Sequence, residues 1–262
     1  MTRTLFAVLL FFTASAFAQD SQAPVEITSE PSHHLVLENM FVRAFAVTVN
    51  PKNSTLMHRH GHDYLSVALG DSEIQNIKPG ASPAAVKFKD GDVRYSPAGL
   101  VHAVTDSGEQ PFRNVTIELM QPTTNEKACT ESCNVPVNCT SGEKACATVT
   151  KLMTADQWSV TQVTIPPGGV YPQHTHLANF LVVPVSDLNL KVRNQDQPEQ
   201  SATAKAGEIR WHNPMVISVT NAGSEPARFV VLEFRGRPAG EGSESMAPQD
   251  QKAGEHKAHD HH

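Results

Sequence analysis

Gly91-Asp92-Val93-Arg94-Tyr95-Ser96-Pro97-Ala98-Gly99-Leu100-Val101-His102-Ala103-Val104-Thr105-Asp106 turns at its first glycine and runs as a short strand. It turns again at Pro97-Ala98-Gly99 and returns with His102 on the second strand. Pro with Gly two residues on makes a tight turn, because Pro presets one dihedral and Gly accepts a reversed one. A degenerate copy lies downstream. At an offset of 116, Gly91-Asp92-Val93-Arg94-Tyr95 falls on Gly207-Glu208-Ile209-Arg210-Trp211. At 115, Val104-Thr105-Asp106 meets Val219-Thr220-Asn221 and Ile117-Glu118-Leu119 meets Leu232-Glu233-Phe234. Upstream, Val47-Thr48-Val49-Asn50-Pro51 falls on Val163-Thr164-Ile165-Pro166-Pro167, and His58-Arg59-His60 on His174-Thr175-His176. A register held this far is an internal duplication.

Each repeat reads as β-structure. Leu35 to Asn50 alternates loosely at period two, while Tyr64 to Leu69 and Val115 to Leu119 are short apolar runs bounded by Gly, Asp or Pro. Asp106-Ser107-Gly108 and Asn221-Ala222-Gly223 make hairpin-like turns at matching places. Many short strands in a repeat of domain size imply an all-β barrel of two sheets, closed so that strand edges are covered. The expected order is a signal peptide over 1–18, a linker over 19–31, an N-terminal barrel over 32–120, a Cys-rich connector over 121–147 and a C-terminal barrel over 148–237. A disordered, His-containing tail over 238–262 completes it, since that stretch has almost no large apolar residue.

Arg3, the apolar run Leu5 to Phe12 and Ala16-Phe17-Ala18 have the shape of a cleaved export signal, so a periplasmic or extracellular location is expected. The run is too short to span a bilayer. A net charge of −6 disfavours nucleic acid and anionic membranes as partners. Cys129, Cys133, Cys139 and Cys146 crowd into one window, which after export reads as two disulfides. The rival, a four-thiolate zinc site, lacks the paired C-x-x-C form.

A strand over His58 to Tyr64 projects alternate side chains onto one face, so His58, His60, His62 and Tyr64 are expected to point the same way. Two imidazoles two residues apart hold an ion once a third ligand arrives, and the Pro97–Gly99 turn returns His102 beside them. Three neutral imidazoles leave coordination positions open. His62 is a further inward candidate. In the second repeat His174 and His176 persist, Phe180 stands for Tyr64, Ile217 for His102, and His212 offers a spare imidazole aligned with Ser96. That set implies a weak site or none. His33 and His34 read as hydrogen-bonded residues of the fold; His256, His259, His261 and His262 as a solvated tail or a metal scavenger.

Gly91-x5-Pro97-x-Gly99-x2-His102-x3-Asp106 resembles the second cupin motif, with Asp for the usual Asn. His58-x-His60 resembles the first, although Lys52 stands where its leading glycine belongs; the second repeat keeps it as Gly168. Across about Ser32 to Arg237 the chain resembles the bicupins, double-stranded β-helix metalloproteins that include quercetinase-like dioxygenases and oxalate decarboxylases. The resemblance implies one divalent ion (Fe, Mn, Ni, Cu or Zn) on His58, His60 and His102, and a small-molecule substrate in the barrel mouth. It also implies a carboxylate ligand four residues after the second His, where this chain has Tyr64, so Tyr64 is read as ligand, acid–base residue or packing. The expected activity is that of a metal-dependent oxidoreductase of dioxygenase type, or of a lyase, decarboxylase or isomerase. A non-catalytic metal- or ligand-binding module is the alternative, and a homodimer is left open.

Overall fold

Residues 42–49 alternate valine, alanine and phenylalanine with polar or half-exposed partners, and all but Arg43, Ala46 and Thr48 are buried. Such patterning favours strands with one face on a core. In the computed structural model, which describes residues 23–139, 145–195 and 197–235, β-strands account for almost all regular structure. The expected signal segment and tail lie outside the described residues. The chain divides into two compact units: residues to Leu37 with Ala44–Glu118, and Glu38–Arg43 with the chain from Leu119.

The first repeat contains β1 (Val25–Glu26), β2 (His33–Glu38), β3 (Val42–Val49), β4 (His58–Arg59), β5 (Tyr64–Ala68), β6 (Ser72–Ile77), β7 (Ala84–Phe88), β8 (Val93–Ser96), β9 (Val101–Asp106) and β10 (Phe112–Leu119). They form two five-stranded sheets, in the orders β1-β4-β9-β6-β7 and β2-β3-β10-β5-β8. Phe45, Val47, Val49, Ile74, Val104 and Phe112 pack as their shared core.

The second repeat follows a short pair, β11 (Lys127–Ala128) and β12 (Asn134–Val135). It contains β13 (Thr148–Thr154), β14 (Trp158–Ile165), β15 (Val170–His176), β16 (Phe180–Pro184), β17 (Leu188–Asn194), β18 (Gln200–Ala204), β19 (Arg210–His212), β20 (Met215–Asn221) and β21 (Ala227–Phe234). Its sheets run β11-β13-β14-β21-β16-β19, with β12 beside β13, and β15-β20-β17-β18; β13 to β21 repeat the order of β2 to β10, and β1 has no counterpart strand. The all-β, duplicated double-sheet architecture expected from the sequence is the one observed. In the connector, Cys129 is bridged to Cys133 and Cys139 to Cys146.

Two expectations need correction. The segment read as a linker over 19–31 is built into the barrel from Val25 onward: β1 pairs with β4, Ile27 is buried and Glu30 is 2% exposed. Residues 35–50 are two strands, because the Asn39 side chain accepts from the Phe41 and Val42 amides and turns the chain.

The turns show why the repeat uses the residues it does. The Asp106 carboxylate accepts from the Gly108 and Phe112 amides, and Asn221 accepts from the Gly223 amide while donating to the Ile165 and Glu225 carbonyls. Both side chains are fully buried in this network, so either residue satisfies the corner. Lys52 and Gly168 occupy the same corner with φ of 65° and 67°, and their amides donate to the Asp106 and Asn221 carbonyls. A left-handed backbone costs a side-chain-bearing residue about 1–2 kcal/mol, partly offset by glycine's greater freedom when unfolded. Lys52→Gly should therefore raise stability by up to about 1 kcal/mol, read as a higher melting temperature; a lower one would show that the lysine contributes more than its backbone loses.

Candidate metal centre

β4 is only two residues long, yet it fixes the site. His58 is the register partner of His102 across the β4–β9 pair. The His60 amide donates to the Leu100 carbonyl, the Gly99 amide to the His60 carbonyl, and the Ala98 amide to the Asp63 side chain. The Pro97–Gly99 turn is thus bonded to residues 60–63, which brings His102 beside His58 and His60. All three are buried, and one ring nitrogen from each lies within 4.8 Å of the others. The His60 and His102 Nε2 atoms face each other at 3.1 Å, an approach that needs a shared proton or an ion between them.

The tautomers follow from the neighbours. His58 Nδ1–H donates to the Leu56 carbonyl and His102 Nδ1–H to the Asn76 side-chain oxygen. Each leaves Nε2 with a bare lone pair, and His58 Nε2 is buried with no hydrogen-bond partner. Orienting acceptors of this kind accompany metal-bound imidazoles. Burial, reinforced for His60 and His102 by repulsion from neighbouring imidazoles, pushes the three down to about 4, about 2 and about 3 for His58, His60 and His102. At neutral pH all three are neutral, as ligands must be. Three converging nitrogen lone pairs fit a divalent first-row ion.

Tyr64 reaches the same cavity by another route than expected. The chain leaves the first sheet after Arg59, and Tyr64 opens β5 in the opposing sheet, so the segment is not one strand. Its ring stacks on His60 at 3.9 Å, and burial pushes its phenol up against a hydrogen bond with Ser96 that pulls it down. His62 falls in the bend between the strands, where alternation no longer holds. It is not part of the histidine cluster and does not line the cavity, which corrects its reading as a ligand.

One participant was read as part of the fold alone. His33, on β2, lies 4.8 Å from His58 and 6.2 Å from His60 between ring centroids, and lines the cavity. Its Nδ1 bonds the Glu30 carboxylate at 2.6 Å. Burial opposes ionisation of Glu30, but bonds from His33, Leu56 and Ser32 overcome it and hold the carboxyl below its usual range. A glutamate three residues before a histidine carries no mark in the sequence that would place it at this site.

The second barrel keeps the frame and loses the centre. His174 on β15 has Ile217 as its register partner, where His58 has His102. His174 Nδ1 donates to the Pro172 carbonyl, His176 bonds Glu233, and His212 stacks on Phe180. Among the described residues only His58, His60 and His102 bring three ligand atoms together.

The chain superposes on AerE from Microcystis aeruginosa with a TM-score of 0.52 at 10% identity, covering 79% of this chain and 99% of that one. Against oxalate decarboxylase from Bacillus subtilis, in a structure concerned with its Mn(II) centres, the TM-score is 0.51 at 13% identity, over 76% and 70% of the two chains. The fold is that of the bicupins. No family model and no curated protein sequence matches the chain. In this bicupin fold the triad sits inside the first barrel, in a cavity of about 490 Å³.

Two predictions follow from this geometry. The protein should hold one tightly bound divalent ion per chain beyond any carried by the tail; His102→Ala should abolish it and His174→Ala leave it nearly unchanged, by elemental analysis after dialysis. Equal loss in both variants would contradict the asymmetry. The folded triad also refuses protons that the unfolded chain accepts near 6.5. The ion-free protein should therefore hold its full stability above pH 6.5 and lose it progressively as the pH falls through about 4 and on toward about 2. His102→Ala should flatten the fall of melting temperature with pH.

Proposed function

We propose that this protein is an exported, metal-dependent enzyme that turns over a small organic anion in the cavity of the first barrel. The observation that carries the reading is the lining. Among the described residues, Lys78 and Arg94 are the only formally charged side chains that line it, both cationic, and no carboxylate does. Arg94 lies over the Phe88 ring, with its guanidinium carbon 3.9 Å from the centroid, and donates to the Lys87 carbonyl. Val47, Ile74 and Phe112 give the cavity apolar walls beside these cations.

His58, His60 and His102 would hold the ion, with Asn76 and the Leu56 carbonyl fixing two of the rings. Held there, a divalent ion would supply Lewis-acid polarisation of a substrate oxygen and, if redox-active, access to dioxygen chemistry. The protein's own contribution is to draw the anion with Lys78 and Arg94 and to keep a proton at the Tyr64 hydroxyl beside His60. Oxalate decarboxylase has Mn(II) centres and is named for a small dicarboxylate, which makes manganese and short carboxylates the first pair to try. Export is supported by the signal-like residues 1–18 and by the bridged cysteines.

A second reading, a non-catalytic binder of small anions, is favoured by the phenol that stands where the resemblance implies a carboxylate ligand. One experiment separates the two: manganese- or iron-loaded protein is incubated with a panel of small mono- and dicarboxylates and followed by NMR. The enzyme reading expects turnover that His102→Ala abolishes, Lys78→Ala weakens mainly through KM, and Tyr64→Phe lowers in kcat by about 100-fold or more. Saturable binding of a carboxylate with no turnover of any would transfer the assignment to the binder.

A further inference from the structure

The Glu30–His33 pair lies at the start of β2, near the N-terminal edge of the first repeat. Position 149, which aligns with His33, is a valine, and position 146, which aligns with Glu30, is a cysteine, so the second barrel has no counterpart. A buried carboxylate is expensive unless its oxygens are bonded. Glu30 Oε1 accepts from the Leu56 amide, and Oε2 from the Ser32 amide and His33 Nδ1. Leu56 is also the residue whose carbonyl orients His58. With Nδ1 committed to Glu30, the nitrogen left to look into the cavity is Nε2. The ring lies 4.8 Å from His58, nearly as close as His102 does at 4.6 Å. Yet His33 does not belong to the group whose ligand atoms converge. It stands beside the triad without joining it.

We propose that the Glu30–His33 pair is a working part of this site: His33 Nε2, left with its lone pair, accepts a hydrogen bond from water, or from the O–H or N–H of a protic organic ligand, on the open side of the ion held by His58, His60 and His102. The carboxylate behind the ring fixes its tautomer and orientation, as in carboxylate–histidine pairs around metal centres. The resemblance implies a carboxylate ligand at position 64, which here is a tyrosine. The pair restores a carboxylate-backed group to the site from a different strand, as a partner of the bound molecule rather than a ligand of the ion. This inference rests on the metal centre argued above.

The test uses full-length protein loaded with cobalt(II), whose visible absorption reports its coordination, and acetohydroxamic acid, which offers N–H and O–H donors, as the probe. His102→Ala, which keeps the tail, supplies the background. His33→Phe keeps a ring and removes the nitrogens; Glu30→Gln keeps the shape and removes the charge. The expected result is wild-type cobalt content in both variants. Acetohydroxamic acid affinity should fall about fivefold in His33→Phe, the worth of a hydrogen bond, with a smaller loss of the same sign in Glu30→Gln. Unchanged acetohydroxamic acid affinity in cobalt-loaded His33→Phe and Glu30→Gln would show that the pair only anchors the N-terminal strands, and overturn the proposal alone. Cobalt lost from a folded His33→Phe would make His33 a ligand, which also overturns it. A wild type that takes up no more cobalt than His102→Ala would overturn the metal centre and this proposal together.

Discussion

Three imidazoles buried against one another are tolerable only if their lone pairs are answered. The Leu56 carbonyl and the Asn76 side chain take the Nδ1 protons of His58 and His102, which turns bare nitrogens toward a common point that His60 also faces. The residues are almost wholly withdrawn from solvent, and a divalent ion at that point would answer all three. The rest of the first barrel serves that arrangement: the β4–β9 register sets His58 against His102, and the Pro97–Gly99 turn is bonded to the loop that carries His60 and Asp63.

The duplication provides an internal control. Both barrels share sheet orders, buried Asx corners and a left-handed residue at the same turn, so the fold needs neither His102 nor Tyr64. Where the second barrel has Ile217 and Phe180, its remaining imidazoles settle into ordinary bonds with Pro172 and Glu233. Its cavity is of similar size, about 450 Å³, but more apolar, with Arg210 the only formally charged lining residue among those described. The frame is common to both halves, and the chemistry is local to one.

What the sequence made legible was local turn chemistry. Pro97-Ala98-Gly99, Asp106-Ser107-Gly108 and their counterparts specify corners by their own dihedrals and side-chain bonds, and a repeated set of corners specifies a barrel. The triad was legible because its third member is tied to such a corner. His62 misled because period-two alternation was extended through a segment that leaves one sheet at Arg59 and enters the other at Tyr64. The place of Glu30 and His33 was not legible at all. Their nearness to His58 arises from β2 lying beside β3 and from the Leu56 contact, both products of tertiary folding.

The central claim, that a divalent ion belongs among His58, His60 and His102, is tested most directly by anomalous diffraction from crystals of the full chain grown with manganese(II). The account predicts a peak bonded to one nitrogen of each of the three rings, at full occupancy, with no comparable peak beside His174 or His176. An ordered triad with no density among its nitrogens, in crystals where manganese is bound elsewhere, would contradict it.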